Sequence, residues 1–185
     1  MNRLFLPLAI AGLAAWTANA GSFTSDFSNP NQNGFTLTSN SASRPDGSTF
    51  EPVVQDGHLV LTWNENSEQG TIIFNDLDAG AAIDSFTVRF KLQIGPGSGN
   101  PADGLAFVFG GDFDASANFG EEGTGNGLIV NFDTYDNGGA EAPAIDVKYN
   151  GATIASKKFA KADLVTGVFE DVEIQLTRNG MLNVS

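Results

Sequence analysis

The chain contains no cysteine. Disulfides, thiolate metal sites and thiol nucleophiles are therefore all absent, and the fold must stand on burial alone. It contains one histidine, His58. A single imidazole beside a turn leaves little for histidine-dependent triads and nothing for multi-histidine metal sites. Basic residues are also scarce, nine Lys and Arg against 22 Asp and Glu, for a net charge of −13. Such a surface repels phosphate backbones and anionic lipid, which argues against nucleic acid and membrane surfaces as partners. Excess acid mostly serves solubility, and it also favours cation uptake. No apolar run is long enough to span a bilayer. No stretch sustains a helical period; only residues 159–165 allow a short turn of helix.

What is present begins with an export signature. Arg3 supplies a positive start, Leu4 to Ala15 an apolar run, and Ala18-Asn19-Ala20 a small-residue cleavage site. Residues 1–20 are expected to be a signal peptide, with the mature chain beginning near Gly21 and secreted or held at the cell surface. The remaining 165 residues, 21–185, suffice for one domain with a sizeable core.

Alternation of period two dominates that domain. Phe86, Val88, Phe90, Leu92 and Ile94 alternate with Ser85, Thr87, Arg89, Lys91 and Gln93. Val172, Ile174 and Leu176 repeat the pattern, as do Leu59, Leu61 and Trp63, and Ile145, Val147 and Tyr149. Each run reads as a half-buried strand. Asp56-Gly57, Asn150-Gly151 and Asn179-Gly180 read as hairpin turns. The expectation is an all-β fold of two packed antiparallel sheets. Phe86, Phe90, Leu92, Val130, Phe132, Val172 and Ile174 should lie between the layers. Trp63 is expected in the core and His58 at the surface. Three long loops stand out, 38–50, 95–104 and 110–127, and loops of that length in a sandwich usually serve function. Met181 to Ser185 looks like the start of a strand.

The stretch 101–137 carries the chemistry. Pro101-Ala-Asp-Gly104 leads into the apolar run 105–109, and the acid-rich loop 110–127, with Asp112, Asp114, Glu121 and Glu122, follows. Then comes Leu128-Ile-Val-Asn-Phe-Asp-Thr-Tyr135 with Asp136-Asn137-Gly138 behind it. As a strand, this run puts Leu128, Val130, Phe132 and Thr134 on one face and Ile129, Asn131, Asp133 and Tyr135 on the other. The first set reads as core and the second as an accessible face. Asp133, Asn137 and the backbone at Tyr135 offer oxygens close together, as hard cations and sugar hydroxyls both require.

Phe132-Asp-Thr-Tyr-Asp-Asn137, with Pro143-Ala-Ile145 downstream and Ala102-Asp-Gly-Leu-Ala106 upstream, resembles the L-type lectins, which include the legume lectins and the cargo lectins of the secretory pathway. The resemblance implies a concanavalin A-like jelly roll and a glycan or polysaccharide as partner. It implies that Asp103, beside Gly104 and after a cis Ala-Asp bond, accepts hydrogen bonds from sugar hydroxyls. Asn137 would donate its amide to the same sugar, and Tyr135 would offer an aromatic face. It further implies calcium held by Asp133, the Tyr135 carbonyl and Asn137, with Glu141 standing in for a further acid of the legume pattern. The chain departs from the family where cargo lectins place an aspartate and a histidine after the next hairpin: residues 153–158 contain neither. Asn131 stands where the legume pattern has a glutamate.

Retaining glucanases share this fold and set carboxylates along one strand as Glu-x-Asp-x-Glu, with nucleophile and acid ~5 Å apart. Here the first position is Asn131, and an amide forms no glycosyl ester at a useful rate. Two non-catalytic readings stay open, a calcium-assisted lectin-like module and a structural or adhesive domain that has lost the sugar site; hydrolysis is the weakest of the three.

Overall fold

Residues alternate between faces on a pleated backbone, so each period-two run becomes a strand with one apolar side to bury. The computed structural model describes residues 20–96, 101–111 and 119–185. The leader expected over 1–20 falls, but for Ala20, outside the described residues, as do Asp112 and Asp114. In order come β1 (Phe35–Ser39), β2 (Val53–Gln55), β3 (His58–Val60), β4 (Gly70–Phe74), β5 (Phe86–Leu92) and β6 (Gly104–Phe109). After these come β7 (Leu128–Asp133), β8 (Ala144–Tyr149), β9 (Ala152–Lys158), the single turn α1 (Lys161–Leu164), β10 (Glu170–Leu176) and β11 (Leu182–Val184).

Two sheets matter for the site. One has the order β6-β7-β8-β9 and the other β11-β10-β5; every pairing in both is antiparallel. Two further pairs, β1-β4 and β2-β3, precede them in sequence. The hairpin turns behave as their residues require. Asp56 and Asn150 take positive φ, 53° and 51°, ahead of Gly57 and Gly151. At the third turn only Gly180 does so, and Gly180 N–H bonds back to the Thr177 carbonyl at 2.8 Å, giving a longer connection than a two-residue step.

The apolar faces of the two sheets meet. Val130, Phe132, Val172 and Ile174 form the buried centre, with Phe86, Phe90, Leu92, Leu105, Phe107 and Ile145 packed around them. All seven residues expected between the layers are there. Full burial of side chains such as Val130 and Ile174 is worth ~1.5–3 kcal/mol each.

Trp63 differs. The alternation at Leu59, Leu61 and Trp63 runs past the strand that carries it, for β3 stops at Val60. Trp63 therefore sits in irregular backbone past the strand, 44 % exposed, with its ring edge-on to Phe50 at 6.4 Å. His58 is exposed, its ring 4.9 Å from that of Phe169.

Candidate functional site

The antiparallel register between β6, β7, β8 and β9 sets side chains in rows on the face turned away from the core. One row reads Gly104, Asp133, Ala144, Lys158. The next reads Ala106, Asn131, Asp146, Ser156, and the third Val108, Ile129, Lys148, Thr153. A polar band thus crosses the sheet beside the end of β7.

This face was expected to be accessible, and at β7 it is not. Asn131 is 0 % and Asp133 2 % exposed. Alternation tells which face a residue takes, but not what lies over that face. Here the segment 119–127 folds across it. Gly123 comes so near that a β-carbon there would lie 3.0 Å from both Ile129 Cγ2 and Val108 Cγ2. Glu122, from the same segment, accepts from Asn131 Nδ2 at 3.2 Å and forms an ion pair with Lys148. Burial lowers the Lys148 pKa from its ordinary value, and the nearby charge of Glu121 pulls it back up.

Burial pushes the Asp133 carboxyl above the usual carboxylate range. The Tyr135 N–H, donating to Asp133 Oδ1 at 3.1 Å, pulls it down, while Glu141, Asp146 and Glu121 push it further up. Among the described residues no Lys or Arg pairs with Asp133. Asn131 Oδ1 and Asp146 Oδ1, on directly opposed residues, are buried without a hydrogen-bond partner. Asp146 was not singled out in the sequence. Its alternation with Ile145 and Val147 was the available signal, but only the register with β7 places it opposite Asn131.

The residues named from sequence gather at one end of this sheet. Gly104 pairs with Asp133 in register, so Asp103 lies at the step beyond. The Asp103 carbonyl accepts from Thr134 N–H at 2.9 Å and from Thr134 Oγ1 at 3.0 Å, which ties the 101–104 turn to the end of β7. The Ala102–Asp103 peptide is cis. At Gly104, with φ 146°, a β-carbon would lie 2.2 Å from the Phe132 carbonyl oxygen, so only glycine allows so close an approach. Asp103 and Tyr135 are exposed beside the buried Asp133. Asn137 N–H donates to Glu141 Oε1 at 2.6 Å, and Gly138 N–H to Asp136 Oδ1 at 2.9 Å, which folds 136–141 back on itself. Residues 136–141 thus form a compact loop just beyond the end of β7, with Glu141 near enough for its charge to act on Asp133.

The charges of Glu141, Asp146 and Glu121 reach the buried Asp133 carboxyl, and oxygen-rich, acidic surroundings of this kind are what calcium takes. No trio of His, Cys, Asp or Glu among the described residues converges on one point. An ion here would therefore draw on the Tyr135 carbonyl and the Asn137 amide as well as Asp133.

Among the described residues no helix is long and apolar enough to cross a membrane. The model of the legume-like lectin family matches residues 27–166, well over half of the chain. No curated protein matches it.

Proposed function

Because the chain belongs to the legume-like lectin family, whose fold is the concanavalin A-like β-sandwich, we propose that it binds carbohydrate without catalysis, at the β6–β7 end of the four-stranded sheet. The observation that carries this reading is the joining of the 101–104 turn to β7 through Thr134, which brings an exposed aspartate beside a buried one. Asp103 accepts from sugar hydroxyls, the Asn137 amide donates to the same ring, and the Tyr135 ring packs against it; Gly104 keeps the backbone low enough for the approach. Calcium is held by Asp133, the Tyr135 carbonyl, Asn137 and Glu141. When bound, the ion supplies positive charge that offsets the acids around Asp133 and fixes the two turns. A ligand set with so few side-chain acids points to affinity in the ~10⁻⁴–10⁻³ M range of extracellular modules. Export through the leader at 1–20 would place the domain where calcium is at such levels.

The glucanase-like position supports binding over hydrolysis, since Asn131 is an amide buried under Glu122. The test is a glycan array probed with and without chelator. Calcium-dependent binding lost in Asp103→Ala and in Asp133→Ala is the expected result. An array blank under both conditions would leave a structural or adhesive domain. Reducing sugar released from β-glucan, and abolished by Asp133→Ala, would make it a hydrolase.

A further inference from the structure

Two features of the sequence take no part in that site, the long loop 38–50 and the tryptophan expected in the core. The structure brings them together. Arg44, Pro45 and Asp46 from the loop face Trp63, Asn64 and Glu65 across an open depression of about 760 Å³.

The walls are built rather than loose. Arg44 N–H donates to the Ser48 carbonyl at 2.7 Å, and Gly47 N–H to the Arg44 carbonyl at 2.9 Å, closing 44–48 into a tight turn. Arg44 forms an ion pair with Glu68, whose side chain is only 3 % exposed. The other Glu68 oxygen, Oε2, accepts from the Trp63 backbone N–H at 2.6 Å. One carboxylate therefore ties both rims. Behind them Phe50, 4 % exposed, meets the indole edge-on and lies 5.9 Å below the Arg44 guanidinium. Asp46 Oδ1 accepts from Ser48 N–H at 2.9 Å and from Ser48 Oγ at 2.7 Å, which holds the carboxylate below its usual range and so ionised.

An indole backed by a buried ring, yet nearly half exposed, is costly to leave in water and gains by being covered. The rim mixes acceptors and donors with Pro45 and Trp63, which matches a ligand with one apolar face and a polar edge. A pyranose ring has that character, with axial C–H groups on a face and hydroxyls around its perimeter. With Arg44 committed to Glu68, the remaining charges, Asp46 and Glu65, are negative, which disfavours phosphates and acidic sugars. An open trough also suits a chain of sugars passing across it better than an enclosed small molecule.

We propose that this depression is a second carbohydrate subsite, distinct from the Asp103–Asp133 end, which stacks one ring of a neutral oligosaccharide on Trp63 and holds its hydroxyls with Asp46, Asn64 and Glu65. It neither uses calcium nor depends on the first site.

The chain has two tryptophans, so full-length protein carrying Trp16→Phe reports on Trp63 alone. Cellohexaose, maltohexaose and mannopentaose are titrated while its emission is followed, in chelator and in the Asp133→Ala background. The expected result is a saturable emission shift with at least one of them, kept in both conditions. Calorimetry with the same sugar in chelator should show affinity falling about tenfold in Trp63→Ala and staying within about threefold in Trp63→Phe. Unmoved emission with all three sugars would overturn the subsite, as would a shift that disappears with Asp133→Ala or unchanged affinity in a folded Trp63→Ala. Because the first site is read in calcium and this one in chelator, either can fail alone.

Discussion

On the outer face of the three-stranded sheet, Arg89 of β5 lies opposite Glu173 of β10, and Lys91 opposite Asp171. Both close into exposed ion pairs, at 2.6 and 2.7 Å. On the outer face of the four-stranded sheet, Asn131 lies opposite Asp146 in the same kind of antiparallel register, with Asp133 in the next row. There Asn131 and Asp133 are buried and Asp146 half-buried, Asn131 Oδ1 and Asp146 Oδ1 find no hydrogen-bond partner among the described residues, and the basic side chain in the adjoining row, Lys148, is bound to Glu122. Water and mutual pairing take care of the first face cheaply. On the second, pairing reaches Lys148 and Glu122 but not Asp133, whose burial raises its carboxyl above the usual range. The same pleat and the same pairing rules thus give a solvated surface on one sheet and a covered polar face on the other. What separates them is the segment 119–127 lying across β7.

The largest effect comes from raising the charge of the buried face. Asn131→Asp adds a carboxylate opposite Asp146 and removes the amide donor to Glu122. In chelator it should cost about 3 kcal/mol in urea unfolding, and millimolar calcium should restore part of the loss. An equal cost with and without calcium would separate Asn131 from the cation.

A smaller change removes charge instead. The folded-state pKa of Asp133 lies above the ordinary 3.8, so the native chain holds that proton more tightly than the unfolded one. Stability in chelator should then fall as pH rises from about 3.8 through the raised value, because ionisation there costs the fold. Asp133→Asn lacks this titration. Thermal melts in chelator should superimpose for the two proteins at the acid end and diverge in favour of Asp133→Asn at higher pH. Wild type melting above Asp133→Asn in chelator near neutral pH would mean that the carboxylate is stabilising, and the contrast between the faces would fail.

The smallest effect belongs to the solvated face. Glu173→Gln breaks the pair with Arg89, 71 % exposed, and should cost under about 1 kcal/mol by denaturant titration. It should leave the response to calcium untouched. A loss comparable to that of Asn131→Asp would show that burial does not distinguish the two faces.

The alternation at β5 and β10 was readable because each strand buries one face against a core and wets the other, so period two carries the whole signal. The hairpins at Asp56-Gly57 and Asn150-Gly151 were readable from backbone chemistry. Trp63 was misplaced because an apolar residue two beyond Leu61 fits the period even after the strand has ended at Val60. The burial of Asn131 and Asp133 was not readable, since the segment that covers them has glycines and acids but no period of its own. Asp146 became part of the site only through register across two strands, a relation no single run of sequence contains. That the 101–104 turn meets the end of β7 could be expected from the length of the loops beside that strand, but the bonds through Thr134 that join them could not, for thirty residues separate Asp103 from Asp133.

The most direct test is calorimetric titration of calcium into the full chain, alongside thermal melts in calcium and in chelator. If the acids of β7 and β8 form a cation-dependent site, wild type takes up calcium at millimolar levels and melts higher with it, and Asp133→Ala shows neither heat nor shift. No heat at millimolar calcium in wild type, with identical melts in calcium and chelator, would contradict it.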